Sequence, residues 1–220
     1  MSVARRARSE KFFSQLRSIV LALAVYKHQH ERGRKTMRKV VGYVLMTLDG
    51  VVEEPGEWLE HFDEEMRENM VEVINAQDAV LLGRVMYQEW AAYWPTATDE
   101  PLFASFINTV PKYVVSTTLS SVDEWQPATL LKGDVSQEIA KLKQQPGKNI
   151  GAHGSITLVH SLLEQGLLDE LVLIVSPILV GGGRRLLKEG DSLKRLKLVS
   201  SKSTRTGALV LTYQPLHQSA

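Results

Sequence analysis

The chain has no cysteine among its 220 residues. That excludes a disulfide framework and any thiolate metal site, and it suits a reducing, cytoplasmic setting. Long apolar runs are missing as well: the stretch at residues 19–25 falls far short of the about 20 residues that cross a bilayer, so no membrane partner is expected. Small residues at Ala22 and Ala24 have the spacing of a secretory cleavage site, but cleavage there would leave almost no apolar segment before it. A metal signature is also absent. His153 and His160 stand seven apart with no third ligand and no H-E-x-x-H pattern, so no metal centre is expected. Net charge is small at +1, yet unevenly placed: residues 1–36 carry net +7 and the remainder net −6. A mildly acidic body argues against a nucleic-acid partner.

What is present is 44% hydrophobic residues in 220, enough for one sizeable core and too little for two large domains. The expected organisation is a basic N-terminal extension at 1–36, helical or lying upstream of a protein that starts at Met37, then one domain over 37–215 and a short tail at 216–220. Within the domain, strand-like and helix-like runs alternate, the mark of a layered α/β architecture. Residues 38–48 read as a buried first strand ending in the turn Asp49-Gly50, and 58–76 as one helix with Leu59, Phe62, Met66, Met70, Val73 and Ile74 at helical spacing. A strand at 78–83, a helix at 84–94, a loop with a helical turn before Pro111, strands at 112–119 and 128–132, and a helix capped by Asp134 follow. Then come a strand end at 148–151, a glycine-bearing loop from Gly151 to Gly154, and a helix with Leu158, Val159, Leu162 and Leu163 on its buried stripe. A strand at 169–179 and two closing strands around Gly207 complete the reading.

Three of these strand ends run into loops or helix starts, at Gly83-Arg84, Ser116-Thr117 and Gly154-Ser155. In open α/β sheets ligands bind beyond the carboxyl ends of the strands, and helix N-termini offer free N–H groups to anions. A nucleotide laid across that edge is the expectation. Gly83 allows close approach, Arg84 can grip a phosphate with its forked guanidinium, and Ser116 and Thr117 supply hydroxyls or cap a turn. Asp49 sits where the first strand meets the edge, as a candidate for orienting substrate or relaying a proton, or as a plain turn residue.

The segments "TLDGVVEEP", "VLLGRVMYQEWAAYWP", "PKYVVSTTL", "HGSITLVHSLLEQGLLDELVLIVSPILVGGGRRLL" and "GALVLTYQP" resemble the dihydrofolate-reductase-like family that includes the C-terminal reductase domain of the bifunctional riboflavin-biosynthesis deaminase/reductase. The resemblance covers nearly all of 37–215. It implies a three-layer fold with a mixed, mostly parallel central sheet and helices on both faces, NADPH as hydride donor and a homodimer. It further implies that Gly83 and Arg84 contact the adenosine-side phosphate with Ser116 and Thr117 nearby, that Gly154, Ser155, Ile156 and Thr157 surround the pyrophosphate, and that Thr47, Leu48 and Asp49 face nicotinamide and substrate.

Two departures from the family pattern stand out. Gly154-Ser155-Ile156 replaces the usual Gly-Ser-Gly, and a β-branched residue tolerates positive φ poorly. "GYVLMTLDG" also lacks the lysine that the riboflavin reductase domain carries on its first strand. The implied activity is NADPH-dependent hydride transfer to a carbonyl or imine of a small pyrimidine-, pterin- or sugar-like molecule. Dihydrofolate reduction and a non-catalytic nucleotide-binding or structural dimer are the alternatives.

Overall fold

The apolar, β-branched run after Met37 forms strand β1, Val40–Thr47, and its burial on both sides places it at the centre of the sheet. The structure is a computed structural model that describes residues 37–187 and 190–216; the N-terminal extension 1–36 and residues 217–220 of the tail lie outside the described residues. Seven further strands follow: β2 Gln77–Gly83, β3 Lys112–Val115, β4 Ala128–Leu131, β5 Asn149–His153, β6 Glu170–Ser176, β7 Arg195–Ser203 and β8 Leu209–Leu216. They join one eight-stranded sheet in the order β4-β3-β2-β5-β1-β6-β8-β7. The first six positions are parallel, β8 runs antiparallel to β6, and β7 runs antiparallel to β8. The sheet is therefore mixed and mostly parallel, as expected.

The helices are α1 Pro55–Trp58, α2 Glu64–Asn75, α3 Arg84–Tyr93, α4 Pro101–Thr109, α5 Val135–Gln144 and α6 Ile156–Glu164. Alternation along the strands divides the core into two layers. One carries Val40, Val44, Ile150, Ala152, Leu171 and Leu173 against Ile139 and Leu142 of α5 and Leu158, Val159 and Leu162 of α6. The other carries Val41, Tyr43, Val80, Leu82, Val172 and Ile174 against Met66, Met70 and Ile74 of α2, Tyr87 of α3 and Phe103 and Ile107 of α4.

Local chemistry moved four boundaries. The helix expected from Trp58 begins at Glu64, because the Asp63 carboxylate accepts from Met66 N–H at 2.9 Å and starts the helix there. The helical turn expected before Pro111 is a full nine-residue helix, with Pro101 at its first turn and Phe103, Ala104 and Ile107 on its buried side. Strand β3 stops at Val115, since Ser116 Oγ accepts from Thr118 N–H and Leu119 N–H at 3.1 and 3.0 Å and turns the chain. The supposed loop at Gly151 is strand: β5 runs to His153, and the place a Gly151 side chain would occupy is filled by the Gln77 carboxamide.

Candidate functional site

Strand order sets the geometry. Strand β5 lies between β2 and β1, and its last pairing with β1 is His153 opposite Tyr43. Strand β1 continues to Thr47 with partners only on β6. Four residues of β1 thus rise beyond β5, roughly 13 Å of strand, and form one wall of a cleft floored by Gly154 and Ser155. The opposite wall is the end of β2, where Leu81 pairs with Ala152 and Gly83 extends beyond it. This is the switch point at which ligands settle in open α/β sheets.

Two helices start side by side at that floor. Gly83 is the N-cap of α3 and Ser155 the N-cap of α6, and Gly83 N–H donates to Ser155 Oγ at 2.8 Å. The two caps are thereby tied together, which spends the Ser155 lone pair on the fold and leaves its hydroxyl proton for another acceptor. Helices α2 and α5 close their first turns with Asp63 and Asp134, whereas α3 and α6 have no side-chain cap. An aspartate at either of those starts would repel an anion. Its absence leaves first-turn N–H groups and the positive ends of two helix dipoles at one place.

The glycines at this floor differ in cause. Gly154 has φ +63°, and a side chain there would lie 2.8–2.9 Å from Met86 and Trp90, so the fold itself requires glycine. Gly83 has φ −78° and its nearest neighbour would be Ser155 Oγ at an ordinary 3.5 Å. Neither backbone nor packing demands a bare residue at 83.

Arg84 is exposed at the first turn of α3, where Nη1 donates to Gln88 at 3.0 Å. Thr157 is exposed on the first turn of α6. Ser116 is buried in its own turn and Thr117 is exposed beside it. Ile156 is the first residue of α6, has no positive φ, and packs on the core layer beneath α5 and α6. The strain expected of a β-branched residue at this turn does not arise, because the left-handed position is Gly154.

At the far wall, Thr47 is wholly buried and its side chain faces inward to the turn and not the cleft. Its hydroxyl donates to Asp49 Oδ1 at 2.6 Å and accepts from Val51 N–H. Leu48 is 60% exposed with its N–H bonded to Ile178 O. Asp49 accepts from Thr47 and from the N–H groups of Val180 and Gly181 at 3.3 and 2.8 Å. The Thr47 hydroxyl first, then the Gly181 N–H, hold its carboxyl down to about 2. Asp49 is thus a fixed carboxylate that anchors the glycine-rich strap after β6; it can accept and orient, and it holds no proton to give at neutral pH.

One buried polar residue beside the end of β1 escaped the sequence reading. Ser176 ends β6 in register with Thr47, is 2% exposed, and its hydroxyl has no partner. The signal available was a polar residue before Pro177 at the end of an otherwise apolar strand. No group of three metal-ligating side chains occurs among the described residues, and no described helix is long and apolar enough to cross a membrane.

Comparison with known proteins agrees with this architecture. A model of the RibD C-terminal domain matches residues 38–210. YyaP of Bacillus subtilis, described as uncharacterized, is 26% identical over 179 residues, spanning 80% of this chain and 94% of that protein. A putative riboflavin biosynthesis protein from Shewanella superposes with a TM-score of 0.66 at 21% identity, covering 81% of this chain and 99% of that one. The deaminase/5-amino-6-(5-phosphoribosylamino)uracil reductase of Thermotoga maritima superposes at 0.59 with 14% identity, covering 83% and 58%.

Proposed function

Since the chain belongs to the RibD C-terminal domain family, we propose that it is an NADPH-dependent reductase that transfers hydride to a carbonyl or imine of a small pyrimidine-, pterin- or sugar-like substrate. The observation that carries this reading is the pair of uncapped helix starts tied by Gly83 and Ser155. They form an anion cradle at the switch point of the sheet.

The residues present fit such a cofactor. The N-terminal N–H groups of α6, with Ser155 and Thr157, would hold the pyrophosphate, while Gly83 and Arg84 at the start of α3 would take the adenosine-side phosphate. When bound, NADPH supplies the hydride. The chain's own part is positional. Leu48 offers an apolar surface at the mouth of the cleft, and Asp49 keeps the strap at residues 177–185 against β1. The proton that accompanies the hydride then comes from a group other than Asp49.

The test is a fluorescence titration of the protein with NADPH and with NADH. Micromolar NADPH binding that weakens at least tenfold in Arg84→Ala is expected. No binding of either cofactor sinks the proposal and leaves a nucleotide-free, structural role.

Assembly as a homodimer is part of the same reading. At the β7–β8 edge of the sheet, Leu198 and Leu209 are 50% and 40% exposed. Burial of these residues against a second copy would account for them. Sedimentation equilibrium is expected to give a dimer that Leu198→Glu disrupts; a wild-type monomer at micromolar concentration overturns this part.

A further inference from the structure

A second concavity lies away from the cleft. On the α2 side of the sheet, a groove of about 220 Å³ opens between the latter half of α2 and strands β1, β6, β8 and β7. Val41 is on its floor, three residues before Val44, where the cleft wall begins, which puts the groove roughly 10 Å along β1 from the cleft floor. The floor is apolar, with Val41, Val172 and Val210.

Three carboxamides line it, those of Asn69, Gln77 and Asn149, and two of them have a buried atom without a partner: Gln77 Nε2 and Asn69 Oδ1. Gln77 is 5% exposed. Its other amide atom is engaged, Oε1 lying 2.7 Å from His153 Nε2. Burial keeps His153 neutral, pushing it down to about 4, so its single ring proton is available to that contact. A buried amide nitrogen or oxygen left unpaired costs free energy, and native structures keep such atoms where something else satisfies them.

The partner's chemistry follows from the lining. An open donor and an open acceptor over a floor of valines match a flat molecule that carries a C=O beside an N–H. The rim carries Glu72, Glu170 and Lys202, and Glu170 is already paired with Lys39. With two charges of each sign there, an ion gains nothing over a neutral molecule.

We propose that this groove is a second ligand site, independent of the reductase reading, for a small uncharged molecule with a lactam or carboxamide edge. Gln77 meets its carbonyl and Asn69 its N–H.

The probe is 2-pyridone, with pyridine as the ring that lacks the edge, titrated into the full chain while the backbone and side-chain amide resonances are followed by NMR. Saturable shifts of Asn69 and Gln77 with 2-pyridone and none with pyridine are expected. Asn69→Leu, on an α2 position that tolerates leucine, and Ser200→Phe, which fills the mouth from β7, should each weaken the response at least tenfold. The proposal is overturned by no saturable shift, by equal responses to both rings, by unchanged affinity in both variants, or by shifts confined to Gly83 and Ser155. The last pattern would mark the cleft as the binding place, and NADPH titration reads the cleft separately.

Discussion

The two faces of the sheet are built from the same strands by opposite means. Under α5 and α6 the layer is almost wholly hydrocarbon, from Ile139 and Leu142 through Leu162 to Leu171. Under α2, α3 and α4 the apolar layer is interrupted by His153, Gln77, Tyr43 and Ser176, all under 10% exposed. Seven buried side-chain atoms among the described residues have no hydrogen-bond partner. Six of them, on Tyr43, Glu65, Asn69, Gln77, Trp94 and Ser176, belong to the α2 side of the sheet or its helices, and the seventh, on Glu164, to α6. A face that only supports the fold can be filled with hydrocarbon. The α2 face, where we propose a ligand groove, keeps polar groups without partners in the fold and carries the cost of burying them.

The largest effect should come from the hydrocarbon face. Leu162 of α6 is 2% exposed and sits between the sheet and its neighbours Leu158 and Leu163. Replacing it with alanine removes packed methyl groups and leaves a cavity, with an expected loss of about 2–5 kcal/mol in urea denaturation. The layer around Leu162 is aliphatic, so the loss should be the same near neutrality and in mild acid. A loss below about 1 kcal/mol would show that the layer can collapse around the hole, and the contrast between the faces would fail.

The contrast also explains which parts of the molecule were legible in the sequence. Leu158, Val159, Leu162 and Leu163 announce α6 because helical spacing of apolar residues leaves one packing solution. Val40 to Thr47 announces a central strand for the same reason. The cleft was legible as a set of strand ends, since Gly83, Ser116 and Gly154 each follow an apolar run. The partners of those residues were not. That Ser155 is tied to Gly83, that Thr47 turns inward, and that Asp49 grips a strap 131 residues further on all depend on register between distant strands. The α2 face was the least legible: Gln77 reaches His153 across 76 residues and through an irregularity in the β2–β5 pairing, and no local pattern marks such a pair. Glycines misled in the same way. Gly151 looked like loop, yet it is bare because a distant carboxamide occupies its place.

The smaller effect, and the sharper one, belongs to the polar face. His153 is 3% exposed among Tyr43, Phe103 and Phe106, and burial pushes its pKa down to about 4. An unfolded histidine titrates near 6.5. Between those values the unfolded chain takes up a proton that the folded chain refuses, so stability is full above about pH 6.5 and falls as pH drops toward about 4. Nearly two and a half units correspond to about 3 kcal/mol in all, and about 2–3 kcal/mol of it should be gone near pH 4.5. The depressed carboxylates cannot mimic this. Asp49 is held down to about 2 by Thr47 and Gly181; Asp63 reaches about 2 because its bonds from Thr204, Thr206 and Met66 outweigh its partial burial. Both lose their contributions below about pH 4, under the window that belongs to the histidine. His153→Phe keeps the aromatic packing, gives up the bond to Gln77 and removes the titration. Its urea stability should therefore start lower than that of the parent protein near neutrality and change by about 2–3 kcal/mol less on going to about pH 4.5. If the two proteins lose stability in parallel across that window, His153 is not held neutral by its surroundings, and the α2 face is wetter than its burial implies.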